Sequence, residues 1–467
     1  MRQQETHHGG TATQSNPHFR YRKASLGNCI CKGVLCHLRL LRLSKSLPSP
    51  CLCAAVVKLF LFVALALPRL CVAQEEQVDT CVACHTALPE PLNLPVEGMK
   101  RDVHREKGLS CVDCHGGDAS LMDMTSMAPE KGFRGKPKHA EIPDFCGRCH
   151  ADGAYMRRFN PRLATDQLQQ YWTSVHGQRL KQGDQKVATC VSCHGVHGIL
   201  PADRAQSRVF AANVPDTCGH CHSNAEYMAE YKIPTDQEAK YKRSVHAEML
   251  LVKRDLSAPA CNDCHGNHGA FPPGVSSIAE VCGQCHANNA AFFVRSPHKA
   301  AFDKAGLPEC ATCHSNHEIH RASDDMLGGQ PGTVCQRCHQ AGSAGNDAAV
   351  TMRTAIDRLK GVMTITEAAL HKAAVMGMEI SEEEYAYREQ VRPQLIKVRT
   401  ETHLANPQAV TQAVDEAIKA AAASEAAATA SLAEAQARRR NLLLPLGLIV
   451  VLMLLLYAKL RQLERRS

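Results

Sequence analysis

The string CVSCHGVHG at 190–198 sets two thiols three residues apart, an imidazole directly after the second, and another imidazole three residues later. Nearly the same string, CNDCHGNHG, returns at 261–269. Two thiols at this spacing can add across the two vinyl groups of one haem, and the adjacent histidine then swings beneath the ring to bind iron. The pattern C-x-x-C-H occurs nine times. Its thiol pairs are Cys81 and Cys84, Cys111 and Cys114, Cys146 and Cys149, Cys190 and Cys193, Cys218 and Cys221, Cys261 and Cys264, Cys282 and Cys285, Cys310 and Cys313, and Cys335 and Cys338. The histidines directly after them are His85, His115, His150, His194, His222, His265, His286, His314 and His339. Of 24 cysteines, only Cys29, Cys31, Cys36, Cys51, Cys53 and Cys71 fall outside the pattern, all within the first 73 residues.

Other uses of paired thiols fit less well. Zinc sites need two C-x-x-C pairs per ion and no histidine directly after each pair, and nine pairs do not divide evenly among four-thiolate sites. Pairs three apart suit redox loops better than nine structural disulfides. Nine covalently attached haems of the c type are the expected cofactors.

Each iron needs a second axial ligand unless it must bind a substrate. Outside the motifs, the histidines between residues 85 and 340 are His104, His139, His176, His197, His246, His268, His298, His317 and His320, with His220 lying inside a motif. Leaving His220 to the solvent gives nine candidates for nine irons, which predicts bis-histidine ligation throughout. His197 is tethered too close to its own motif to reach the far face of that haem, so it is expected to serve a neighbouring one. His371 and His403, in the helical C-terminal segment, are expected to be ordinary surface residues. Met99, Met122, Met124 and Met127 are alternative axial sulfurs, which would raise the potential of the haem they served.

The motifs sit in an internal repeat. One unit reads TSVHGQRL, then CVSCHGVHG, then CGHCHSNAEYM; the next reads RSVHAEML, CNDCHGNHG, CGQCHANNAAFF; a third reads RSPHKAAF, CATCHSNHEIH, CQRCHQAG. Each carries a leading histidine (His176, His246, His298), then C-x-x-C-H-x-x-H, then a second C-x-x-C-H, so each holds two haems and two spare histidines. A degenerate unit begins at His104, with Asp118 where the others place their second histidine. His139 is the candidate to replace it, and His320 the candidate to complete the set. The Cys81 motif precedes all units.

Aromatic content is 4%, with one tryptophan, Trp172. So little large apolar side chain in so long a chain predicts a core built from the macrocycles themselves. Proline and glycine scattered between motifs predict loops and short helices, and no alternating strand pattern appears. The formal charge of +8 belongs to the N-terminus. Residues 1–73 hold ten of the 54 Lys and Arg and one of the 46 Asp and Glu, leaving 44 basic and 45 acidic residues beyond. No nucleic-acid surface is expected. Haem propionates would take the mature charge to about −10, favouring basic, salt-sensitive partner sites.

The domain reading is a leader at 1–73, a haem domain at 74–340, a helical bundle or stalk at 341–440, a transmembrane helix at 441–459 and a cytoplasmic tail at 460–467. Residues 56–74, VVKLFLFVALALPRLCVAQ, carry a charged start, an apolar run and small residues before Gln74, as a secretory signal does. The expected signal is about 57–73, with Val57 the true start and the upstream part a mis-called one. After about 345 the composition turns helical. One helix is expected to end near Gly377, a Ser381/Glu384 capping box to open a second, Asn406-Pro407 to end it, and an alanine-rich third to run to Arg440. Leu442 to Ala458 carries no charge and is just long enough to cross a bilayer. The fold class expected is mainly α with much irregular loop: a haem-packed domain, a long-helix bundle and one C-terminal span.

On these nine motifs and the extra histidines, residues 80–340 resemble the multihaem c-type cytochromes, akin to class III tetrahaem and NapC-type periplasmic carriers. That resemblance implies low-potential bis-histidine haems in van der Waals chains, matured outside the cytoplasm. The anchor here is C-terminal, unlike that of NapC-type proteins, which puts direct quinol oxidation in doubt. The expected role is an electron carrier rather than a catalyst, anchored in the cytoplasmic membrane with its haems in the periplasm or outside. Its donor would be a membrane quinol-oxidising or other redox complex, and its acceptor a periplasmic or outer redox protein. The alternatives are a multihaem reductase of a nitrogen or sulfur oxyanion, with one five-coordinate haem, and a quinol dehydrogenase subunit.

Overall fold

The computed structural model describes residues 79–274 and 277–465. The leader, the Val57 start and the end of the tail lie outside them. The described residues are helical, with no strand among them.

Short helices carry the motifs, and the sequence sets their limits. Cys111–His115, Cys190–His194 and Cys261–His265 are each one turn long. The residue before the second cysteine caps each start. Asp113 accepts from the Ser110 amide at 2.7 Å, the Ser192 hydroxyl from Thr189 at 3.0 Å, and Asp263 from Ala260 at 2.7 Å. The glycine after the histidine ends each helix, with φ of 70° at Gly116, 79° at Gly195 and 83° at Gly266. A side chain there would be strained, so glycine lets the chain turn sharply out of the helix. Ser315 makes the same turn at φ 67° after Glu309–His314. Two of the second motifs of a unit lie on longer helices, Ile142–His150 and Val214–His222, each with a proline in its first turn.

The leading histidines come just after buried helix caps. Asp102, Ser174, Ser244 and Ser296 stand two residues before His104, His176, His246 and His298, and all four are buried. The Ser174 hydroxyl accepts from the Gly177 amide at 2.9 Å, and Ser244 from Ala247 at 3.1 Å.

One backbone tie joins successive units. The Val103 amide donates to the Ile199 carbonyl at 2.8 Å, Val175 to Ala270 at 3.1 Å, and Val245 to Ile319 at 2.8 Å. Each donor precedes a leading histidine, and each acceptor lies two residues past the second histidine of the next unit. In the last unit the donor position is Pro297, which has no amide hydrogen. The series therefore stops where the repeat stops.

Apolar packing is unevenly shared. In the motif region the clusters are small: Val214, Tyr241, Ala247, Leu250 and Ala260 form one, and Tyr171, Leu180 and Val187 another. The large core lies in the C-terminal bundle, around Ile356, Leu359, Val391, Val398, Val410 and Val414. There Ala344–Val375 packs along Pro407–Glu464, with Arg392–Glu401 against both.

Three bundle boundaries differ from expectation. No Ser381/Glu384 capping box forms: the Ser381 hydroxyl donates to the Glu379 carboxylate instead. Asn406 caps the final helix by accepting from the Ala409 amide at 3.1 Å, while the middle helix has already ended at Glu401. The expected third helix and the expected span are one uninterrupted helix of 58 residues, passing through Pro445. Its Leu442 to Ala458 segment is fully exposed, and this helix is long and apolar enough to cross a membrane.

The bundle is docked on the motif region by Asp324. Its carboxylate accepts from Arg399 Nε at 2.8 Å and Nη2 at 2.7 Å, and from Lys360 Nζ at 3.0 Å. The Arg399 hydrogen bonds hold the carboxyl below its ordinary value against the opposing effect of burial, and Lys360 adds to them. A depressed carboxyl contributes stability above its unfolded pKa of 3.8 and loses it as pH falls through the folded value. Asp324→Asn should therefore cost about 1–3 kcal/mol at neutral pH, the partners being half-exposed and screened. Denaturant unfolding should show the gap between variant and parent narrowing below pH 3.8.

Candidate cofactor site: imidazole pairs beside thiol pairs

Eight of the nine motif histidines face a second histidine. Ring centroids lie 5.9 Å apart for His104 and His150, 6.0 Å for His115 and His197, and 6.1 Å for His176 and His222. The separations are 6.1 Å for His194 and His268, 6.3 Å for His246 and His286, and 6.0 Å for His265 and His317. They are 6.0 Å for His298 and His339 and 6.1 Å for His314 and His403. Stacking contact would bring rings closer. With a metal–nitrogen bond of about 2.0–2.1 Å and about 1.1 Å more to each ring centre, two imidazoles on opposite faces of one ion sit roughly 6.2 Å apart. The pairs are thus spaced to hold an ion between them. Among the described residues, no group of three or more His, Cys, Asp or Glu gathers around a common point. Among the described residues the imidazoles come in twos.

Two rules generate the pairs. A leading histidine faces the second motif of its own unit: His104 with His150, His176 with His222, His246 with His286, His298 with His339. The second histidine of C-x-x-C-H-x-x-H faces the first motif of the unit before: His197 with His115, His268 with His194, His317 with His265. Asp102 serves both rules at once. Its Oδ1 accepts from His104 Nδ1 at 2.8 Å, and its Oδ2 from the Gly198 and Ile199 amides at 2.7 and 2.8 Å. Burial opposes ionisation there, but these hydrogen bonds outweigh it and bring the carboxyl down to about 2.

The structure departs from the expected distal set at three histidines. His139 is partly buried, but its Nε2 bonds the Val187 carbonyl at 2.9 Å and it faces no motif histidine. His320 is exposed beside Glu318 and also faces none. His403, expected to be an ordinary surface residue, faces His314. The Thr400 carbonyl accepts from its Nδ1 at 2.9 Å, which turns Nε2 away from its own helix. No further repeat is present to supply this histidine, so the bundle does. The signal in the sequence was the absence of a later unit, not any local motif. His220 and His371 are exposed, as expected.

Second hydrogen bonds fix several motif rings in the same sense. His85 Nδ1 is bonded to the Leu92 carbonyl at 2.9 Å, His115 Nδ1 to Gly135 at 2.9 Å, and His265 Nδ1 to Phe271 at 3.3 Å. Each leaves Nε2 free to ligate. Burial, then the like charge of the facing ring, lowers the pKa of His176, His194, His197, His298, His314 and His317. The neutral imidazole, the form that ligates, is favoured.

The thiols place consecutive motifs side by side. Cys146 and Cys190, Cys218 and Cys261, and Cys282 and Cys310 perturb one another, the first thiol of each couple being raised and the second lowered. Cys81 is pushed up to about 11 by burial, then by Asp79 and the neighbouring Cys111. Cys114 feels Cys149, Cys193 feels Cys221, Cys264 feels Cys282, and Cys313 feels Cys335. The helices that bear consecutive motifs also touch where Ile142–His150 meets Cys190–His194, Val214–His222 meets Cys261–His265, and Ile278–Gly283 meets Glu309–His314.

Comparison with protein-family models, with curated proteins and with solved structures finds no match.

If each pair holds one iron, His403→Ala should open one axial position and no more. The absorption of the purified full chain should show about one ninth of its haem turning high-spin, whereas His139→Ala and His320→Ala leave the spectrum unchanged.

Proposed function

We propose that this chain is a membrane-anchored multihaem c-type cytochrome that relays electrons along nine haems. The observation that carries the reading is the set of eight imidazole pairs at 5.9–6.3 Å, each with one member directly after a C-x-x-C thiol pair. When bound, the haems supply iron that cycles between the ferric and ferrous states.

The protein supplies attachment, spacing and orientation. Cysteines 81 to 338 of the nine motifs form the thioether links. The motif histidine would hold each iron, and in eight cases the facing histidine would be its second ligand. Contacts between helices that bear consecutive motifs would set neighbouring sites close together, the condition for fast single-electron exchange. The small apolar clusters of the motif region also favour this reading, because inserted macrocycles would complete its core.

The final helix anchors the protein in the cytoplasmic membrane, and the haem region works on the exported side, where thioether attachment takes place. The donor is a membrane quinol-oxidising or other redox complex, and the acceptor is a periplasmic or outer redox protein.

Intact-mass measurement of the exported protein should give the polypeptide plus nine haems. Reductive titration should then take up nine electrons per chain. A polypeptide of unmodified mass, or one carrying zinc, overturns the reading.

A further inference from the structure

The pairing rules have two ends, and only one of them is closed. Run forward, the second rule asks for a histidine beyond the last unit to face His314, and the bundle provides His403. Run backward, it asks the first unit for a histidine to face His85. The first unit carries Asp118 at that position, in CVDCHGGD, where the next two carry His197 and His268.

His85 otherwise matches its fellows. It comes directly after its thiol pair, is partly buried, and has Nδ1 held by the Leu92 carbonyl, so Nε2 is free. Among the described residues no imidazole faces it. His139 gives its Nε2 to Val187 and His320 lies at the surface beside Glu318, and neither faces His85.

The loop that bears Asp118 is fastened to this motif. The Thr80 hydroxyl donates to the Ala119 carbonyl at 2.7 Å and to the Leu121 carbonyl at 2.8 Å, and the Thr80 amide donates to Ala119 at 3.1 Å. Asp118 itself is turned into its own loop, with Oδ1 accepting from the Ser120 hydroxyl at 2.5 Å and Oδ2 from Lys131 at 3.4 Å. Met122 and Met124 are 62% and 77% exposed.

We propose that the haem iron held by Cys81, Cys84 and His85 keeps one axial position open, and that this is a binding site for a small neutral lone-pair donor. This rests on the haem reading above. Asp79 beside Cys81 puts negative charge next to the site, which disfavours anions, whereas Asp118 is paired with Lys131. The site also lies at one terminus of the motif series, so a ligand there meets the end of the electron path rather than its middle.

Carbon monoxide is the probe, added to the reduced full-length protein in detergent. The expected result is one CO bound per nine haems. The C81A/C84A double variant should lose one haem by mass and all CO binding with it. Asp118→His should keep nine haems and convert the site to a low-spin, CO-silent one, because it restores the histidine that the repeat rule asks for. Nine haems with no CO bound overturns the proposal while leaving the electron-carrier reading intact, whereas a haem-free mass removes both. CO binding that survives C81A/C84A also overturns it. So does CO binding that appears only in a Met99→Leu or Met127→Leu variant and not in the wild type, which would mean that a sulfur had held the position. Wild-type CO binding in Asp118→His overturns the assignment of Asp118 to the distal side.

Discussion

The arrangement depends on one separation, about 6 Å between two imidazoles that come from different segments of the chain. A helix of one turn cannot place two rings on opposite sides of an ion. Each pair therefore needs a second piece of chain, and the repeat supplies it from across a unit or from the next unit along. His197 lies three residues from its own motif histidine, yet it faces His115, which is far away in sequence. Once iron sits between such rings, every pair is a cross-link. Seven of the eight are made within the repeat, and the amide ties at Val103, Val175 and Val245 hold successive units in the matching register.

A repeat that lends each unit a ligand from the next leaves its two ends incomplete, and the chain treats them differently. At the C-terminal end Pro297 drops the inter-unit tie, and the helical bundle stands in for the missing unit. Arg399 is bonded to Asp324, and four residues later His403 reaches His314. The bundle is thus a terminal cap that also carries the imidazole facing His314. At the N-terminal end nothing equivalent appears among the described residues. The histidine position is an aspartate whose oxygens are already satisfied by Ser120 and Lys131.

Most of the candidate site was legible in the sequence because its signals are local. The C-x-x-C-H motifs and seven of the distal histidines sit at fixed places in a visible repeat. The departures have one cause. Counting histidines gave nine candidates for nine irons, but a count does not see geometry. His139 has a carbonyl partner 48 residues away in Val187, and His320 points to solvent. His403 was misjudged because its role depends on a tertiary contact between two regions of different composition. The bundle boundaries failed for a related reason. A Ser/Glu spacing that would form a capping box is overridden when Glu379 offers the serine a nearer carboxylate. The expected break between the alanine-rich helix and the span does not occur, because the helix runs on through Arg440 and Pro445 without interruption.

The final helix also bears on how electrons would reach the haems. It starts at Pro407, next to the turn that carries His403, and becomes apolar only at Leu442. At about 1.5 Å per residue the stretch 407–441 is roughly 50 Å long, and it is one uninterrupted helix. If Leu442 to Ala458 crosses the membrane, the His403 end of the helix stands far from the bilayer unless the helix lies nearly flat on it. On the proposed reading, a haem held by His314 and His403 would then be poorly placed to meet a quinol dissolved in the membrane, and well placed to meet a partner that extends above the surface. The geometry of this one helix weighs for a soluble-side exchange of electrons at that end, and against quinol oxidation there by this chain alone.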